Sequence, residues 1–168
     1  MKINVIIASF ITSVLILSGN AFAIDAQLSE AEWDGNSIPE GQQCQKFGGI
    51  KPSTPKLLVT SIPEGTDALL IEYSDRDYKS MNNGGHGKMR FVLNSSANRV
   101  SVPRVMGHSF ELPDNFTMIS PHLSPIWDKE GAYMPPCSGG RNHAYYVTIR
   151  AMKGDKQVES TVLELGRY

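Results

Sequence analysis

Two aspartates, a histidine and a tyrosine carry the clearest chemical content of this 168-residue chain. Asp75 and Asp77 follow directly on an apolar run that ends at Tyr73, where side chains can be presented at a sheet's edge. His143 and Tyr145 open a stretch in which apolar and polar residues alternate. A carboxylate that accepts from one imidazole nitrogen fixes the tautomer and raises the basicity of the other. Such a pair can donate to an anion, and a tyrosine on the same strand face adds an O–H donor. Turn-forming and structural roles are equally open to isolated Asp and His residues at strand ends.

Motifs for more demanding chemistry fail on inspection. Gly84-Gly85-His86-Gly87-Lys88 superficially resembles a phosphate-cradling loop, yet Asn82 stands where its first glycine belongs and Met89 replaces the Mg²⁺-binding Ser/Thr. Asp75 and Asp77 could open a calcium loop, but Ser80 occupies the turn-glycine position and His86 that of the bidentate glutamate. His86, His108, His122 and His143 lack the i, i+4 spacing of a helical zinc site. No Gly-x-Ser-x-Gly elbow is present. The expectation is therefore no metal, no cofactor and no enzyme motif.

The elements that must position these residues read as strands. Residues 56–61 and 68–73 are short apolar runs bounded by Pro and Gly, joined by the turn Ile62-Pro63-Glu64-Gly65-Thr66. Residues 89–93 give a third candidate, 143–150 the clearest two-residue period, and 160–165 a last one. Residues 24–55 read as irregular. No amphipathic helix, repeat or low-complexity tract stands out, so the chain is predicted to be mainly β. The stretch 120–140 is a long proline-bearing loop with His122, Trp127, Tyr133 and Cys137, too long to be idle, and is expected to line a pocket.

Composition narrows the classes further. Sixteen Lys+Arg against 17 Asp+Glu leave a formal net charge of −1, without the basic footprint of a nucleic-acid binder or a polybasic membrane-surface protein. Lys2, the apolar run from Val5 to Leu17, and Ala21-Phe22-Ala23 form the three parts of a secretory signal peptide, with cleavage expected after Ala23. That run is shorter than the ~20 residues a membrane span needs. Residues 1–23 are thus read as a leader and 24–168 as one domain, periplasmic or secreted. In an oxidising compartment Cys44 and Cys137 are expected to pair. The alternative is a free Cys137 beside His143, and with it a weak hydrolase built from Cys137 or Ser138 as nucleophile with His143 and Asp75.

The order of segments is more specific than any one of them. Cys44 in a Gly-rich loop is followed by Pro52-Ser53-Thr54-Pro55, then Ile62-Pro63-Glu64-Gly65-Thr66 and Ser74-Asp75-Arg76-Asp77. Far downstream stands Tyr133-Met134-Pro135-Pro136-Cys137-Ser138-Gly139-Gly140-Arg141-Asn142-His143-Ala144-Tyr145. Over about residues 40–165 this resembles the phosphatidylethanolamine-binding protein family, also called Raf-kinase-inhibitor-like, in its bacterial exported branch. The resemblance implies a two-sheet β-sandwich-like fold with little helix and a small pocket for phosphate-like or other anionic groups. It also implies that Asp75, Asp77, His143 and Tyr145 belong to that pocket, and that Pro135 and Pro136 form its wall. Three departures stand out. Arg76 replaces the proline between the aspartates, and Ala144 replaces the arginine after the histidine. Arg90 stands in place of the second pocket histidine, with His86 in the adjacent loop as another source of that imidazole. Arg90 is expected either to strengthen anion binding or to pair with Asp75 and fill the pocket. The function implied is a non-enzymatic binding protein for a small anionic or phosphate-bearing ligand. A second expectation is a protein-interaction or peptidase-inhibitor module whose pocket is vestigial.

Overall fold

A computed structural model describes residues 23–94 and 97–168; the expected leader, apart from Ala23, lies outside the described residues. Eight strands form two antiparallel sheets among the described residues, with two short 3-10 turns and no α-helix. The strands are β1 (Asp25–Leu28), β2 (Leu57–Thr60), β3 (Ala68–Asp75), β4 (Gly87–Val92), β5 (Arg99–Val102), β6 (Phe116–Ser120), β7 (Ala144–Lys153) and β8 (Lys156–Arg167). One sheet runs β1-β2-β5, and the other runs β6-β4-β3-β7-β8.

The pleat explains how the two sheets meet. Along β2, Leu57 and Val59 are buried while Leu58 and Thr60 are partly exposed; along β4, Met89 and Phe91 are buried while Lys88 and Arg90 face outward. The inward residues of both sheets (Leu57, Val59 and Val102 from one, Leu69, Ile71, Met89, Val147 and Ile149 from the other) form one core. This is the mainly β, two-sheet architecture expected from the sequence. The long β7–β8 pair closes through a two-residue turn at Gly154-Asp155, where Gly154 takes φ +59°.

Three strands escaped the sequence reading. β1 lies in the stretch taken as irregular, and β5 and β6 were not anticipated. Each has four or five residues, and β5 and β6 are largely exposed, so neither a sustained apolar run nor a period of two marks them. They are held by pairing to β2 and β4, with β1 and β5 adding one core side chain each, Ala26 and Val102. Among the described residues no helix is long and apolar enough to cross a membrane.

Candidate functional site

The site forms where three neighbouring strands end together. β3 pairs with β4 on one side and β7 on the other, with Tyr73 opposite Gly87 and Asp75 opposite Tyr145. Asp75 is the last residue of β3 and is 3% exposed, a burial that a carboxylate tolerates only when its oxygens are partnered. Oδ1 accepts from the Asp77 backbone N–H at 2.8 Å, and Oδ2 accepts from His143 Nδ1 at 2.7 Å. The expected carboxylate–imidazole pair is therefore formed. Asp77 does different work: its side chain accepts the Ala144 N–H at 2.7 Å, tying the start of β7 to the turn after β3. Asp77 is exposed and does not line the cavity.

Asp75, His143 and Tyr145 share a cavity of about 200 Å³ with His86, Met81 and Met134. The lining is completed by the buried Cys137 and Ser138, by Ser124 and by the exposed Tyr78, Trp127 and Arg141. Tyr145 accepts the Cys137 N–H at 3.2 Å, and burial pushes its phenol up to about 12, so its proton is retained at neutral pH. His86 is fully buried and hydrogen-bonded through Nδ1 to the Met134 carbonyl at 2.7 Å. A carbonyl can only accept, so Nδ1 carries the hydrogen and Nε2 the lone pair. Burial drives the His86 imidazole down to about 4 despite that hydrogen bond, which keeps it neutral. The ring stands edge-on to Tyr145 with centroids 5.4 Å apart.

The long loop is ordered by contacts of its own. Lys46 lies over the Trp127 ring at 3.3 Å and donates to the Trp127 carbonyl, while Trp127 Nε1 donates to the Cys137 carbonyl at 3.2 Å. His108 and Asp128 form a buried hydrogen-bonded pair, and His122 donates from Nε2 to the Lys129 carbonyl at 2.9 Å. Cys44 and Cys137 are joined by a disulfide, and no free cysteine remains among the described residues. That bridge removes the thiol nucleophile. Ser138 Oγ donates to the Tyr168 carbonyl, so the serine is not engaged with His143.

Not every expected site residue reaches the cavity. Arg90 is the clearest correction. It pairs across β3 with Leu70, five residues along the strand from Asp75, a separation of about 17 Å. The pleat sends it to the outer face, where it pairs with Asp67 at 2.6 Å and donates to the Gly154 carbonyl. It neither replaces a pocket histidine nor fills the pocket. His86 takes the inward place instead, because it precedes β4 and is turned in by its own hydrogen bond to Met134. Pro135 and Pro136 are buried behind the wall rather than in the lining; Pro136 accepts the Cys44 N–H, and Pro135 sits under Gly107. His122 and Tyr133, expected at the pocket, are buried elsewhere, Tyr133 against Tyr73 in the core. Arg141, Met81, Met134 and Tyr78 were not anticipated. Arg141 alone had a signal, its place two residues before His143.

Comparison with solved structures gives the fold a name. The crystal structure of YbcL from E. coli, described as a new member of the mammalian PEBP family, matches with probability 1.00 and a TM-score of 0.54. The match covers 88% of this chain and 98% of that one at 17% identity. This chain has the phosphatidylethanolamine-binding protein fold. No protein-family model and no curated protein sequence matches it. Within this PEBP fold the cavity gathers Asp75, His143 and Tyr145 as the order of motifs implied, and takes its second imidazole from His86.

Proposed function

We propose that the protein is an exported, non-enzymatic binding protein whose cavity holds a small anion of the phosphate or carboxylate class. The observation that carries this reading is the Asp75–His143 pair on one wall of the cavity, with Arg141 on its rim and in no ion pair among the described residues. Asp75 accepts from His143 Nδ1 and so turns Nε2 toward the cavity, and an anion that accepts from Nε2–H is held by the ring in its doubly protonated form. Arg141 supplies a fork of donors from the same lining, and Tyr145 retains its O–H. A cavity of about 200 Å³ limits the bound part to a headgroup-sized ion. Export is supported by the leader motif of residues 1–23 and by the disulfide.

Isothermal titration with inorganic phosphate and with phosphoethanolamine tests the reading. Binding that drops at least about tenfold in Arg141→Ala and in His143→Ala supports it, each lost charge-assisted bond being worth ~1.5–3 kcal/mol. Heat of binding that is absent, or unchanged in both variants, sinks it.

A second reading has an observation of its own. Tyr78, Leu123, Ile126 and Trp127 are exposed on the loops at and beside the cavity, with Ile126 fully so. Such a collar suits docking onto another protein, in the manner of a peptidase inhibitor. Loss of partner inhibition on Ile126→Asp with phosphate binding intact would favour it.

A further inference from the structure

The anion reading draws on Asp75, His143, Tyr145 and Arg141, and leaves the deeper wall of the cavity without a role. That wall is made by His86, Met81 and Met134. His86 Nδ1 is committed to the Met134 carbonyl, and His143 Nδ1 to Asp75. In both rings the bonded nitrogen is the hydrogen-bearing one when the imidazole is neutral, so in both the lone pair lies on Nε2. Neither Nε2 has a hydrogen-bond partner among the described residues. A histidine anchored through one nitrogen by a carboxylate or carbonyl, with the other left free, is the arrangement that metal-ligating histidines adopt.

The remaining donors decide which metal. Each oxygen of Asp75 already accepts one hydrogen bond, Oδ1 from the Asp77 N–H and Oδ2 from His143, and the carboxylate serves to anchor the ring. The cysteines are oxidised. What is left facing the cavity is neutral: two imidazoles, the thioethers of two methionines and a protonated phenol. Asp75 is the one carboxylate of the lining and Arg141 offsets it, so the set offers little net negative charge to a divalent ion. Imidazole with thioether is a soft donor combination that suits copper(I) and disfavours Mg²⁺ and Ca²⁺, which take oxygen ligands; Zn²⁺ is the competitor that the test must exclude. We infer that the cavity binds a soft monovalent metal ion, copper(I), between His86 Nε2 and His143 Nε2, with Met81 and Met134 as further donors. The copper and the anion both draw on His143 Nε2, the ring nitrogen that Asp75 leaves free, so the two ligands exclude each other.

The test uses the intact, disulfide-bonded protein and Cu(I) held reduced by ascorbate, in competition with a chromogenic bidentate Cu(I) chelator. Wild-type protein is expected to withdraw one equivalent of copper. His86→Gln and Met134→Leu are each expected to weaken that withdrawal at least about tenfold, and phosphate to oppose it. Near-ultraviolet circular dichroism of each variant checks that the fold persists; the isosteric Met81→Leu serves if Met134→Leu disturbs it. No withdrawal of copper by folded wild-type protein overturns the inference. So does binding that neither histidine nor methionine variant alters, or an equal affinity for Zn²⁺. Phosphate titrated into the copper-free protein keeps the two ideas apart: phosphate binding without copper binding defeats only this inference, and the converse defeats only the anion reading.

Discussion

At the scale of single residues, the cavity is governed by which nitrogen carries a proton. Asp75 and the Met134 carbonyl set the tautomers of His143 and His86, and those settings decide what the cavity can accept. Replacing Asp75 by Asn keeps the shape but exchanges the carboxylate that accepts from His143 Nδ1 for a neutral amide. Phosphate affinity in Asp75→Asn is expected to fall at least about tenfold, measured by the same titration. His86 makes a second prediction, about stability. Its imidazole titrates near 6.5 when free and near 4 when buried, so between those values the unfolded chain holds a proton that the folded one does not. Stability is therefore complete above about pH 6.5 and declines as pH falls to about 4, by a total of about 3 kcal/mol. Urea midpoints of wild type should show this slope across pH 6.5 to 4, and His86→Gln should flatten it. An equal slope in the variant would assign the loss to other groups.

At the scale of elements, the site depends on how closely one loop approaches the sheet. Gly87, at the start of β4, has φ +129°, and a Cβ placed there would lie 2.1 Å from the Ala132 carbonyl oxygen. Only glycine lets the 131–134 segment lie on β4 and present the Met134 carbonyl to His86. Gly87→Ala should cost more than about 2 kcal/mol, combining a forbidden backbone region with a direct clash. It should also weaken ligand binding out of proportion to the fraction unfolded, which titration at low temperature can separate. The elements were unevenly legible. β3 and β7 declared themselves by apolar runs and by the alternation of Tyr145, Val147 and Ile149, because burial writes a pattern into the chain. β1, β5 and β6 did not, because backbone pairing asks little of side chains. Arg90 was misassigned for a related reason. The motif order aligned it with a histidine, but whether a residue of β4 faces in or out depends on register, and one position exchanges the faces.

For the whole molecule, the Cys44–Cys137 bridge fastens the N-terminal loops to the cavity wall across a sequence separation of 93. Closing so long a loop restricts the unfolded chain and is worth about 4–5 kcal/mol in the chain-entropy account. Cys137 also gives its N–H to Tyr145 and its carbonyl to Trp127. A Cys44→Ser, Cys137→Ser double variant should unfold at a markedly lower urea concentration and bind phosphate more weakly even where folded. An unfolding free energy within about 1 kcal/mol of wild type would mean that the loops hold the cavity without the bridge.

A mainly β domain is legible in the chain's own composition and local periodicity. The grouping of Asp75, His143 and Tyr145 is what the ordered motifs of the family resemblance imply, and the pairing of Cys44 with Cys137 stands in the sequence beside a free-thiol alternative. Tertiary structure alone decided that His86 and not Arg90 is the second polar group, that Arg141 stands at the rim, and that Met81 and Met134 line the floor. Each of these rests on strand register or on the path of a long loop. Both are fixed by packing among residues far apart in the chain, which no local pattern records.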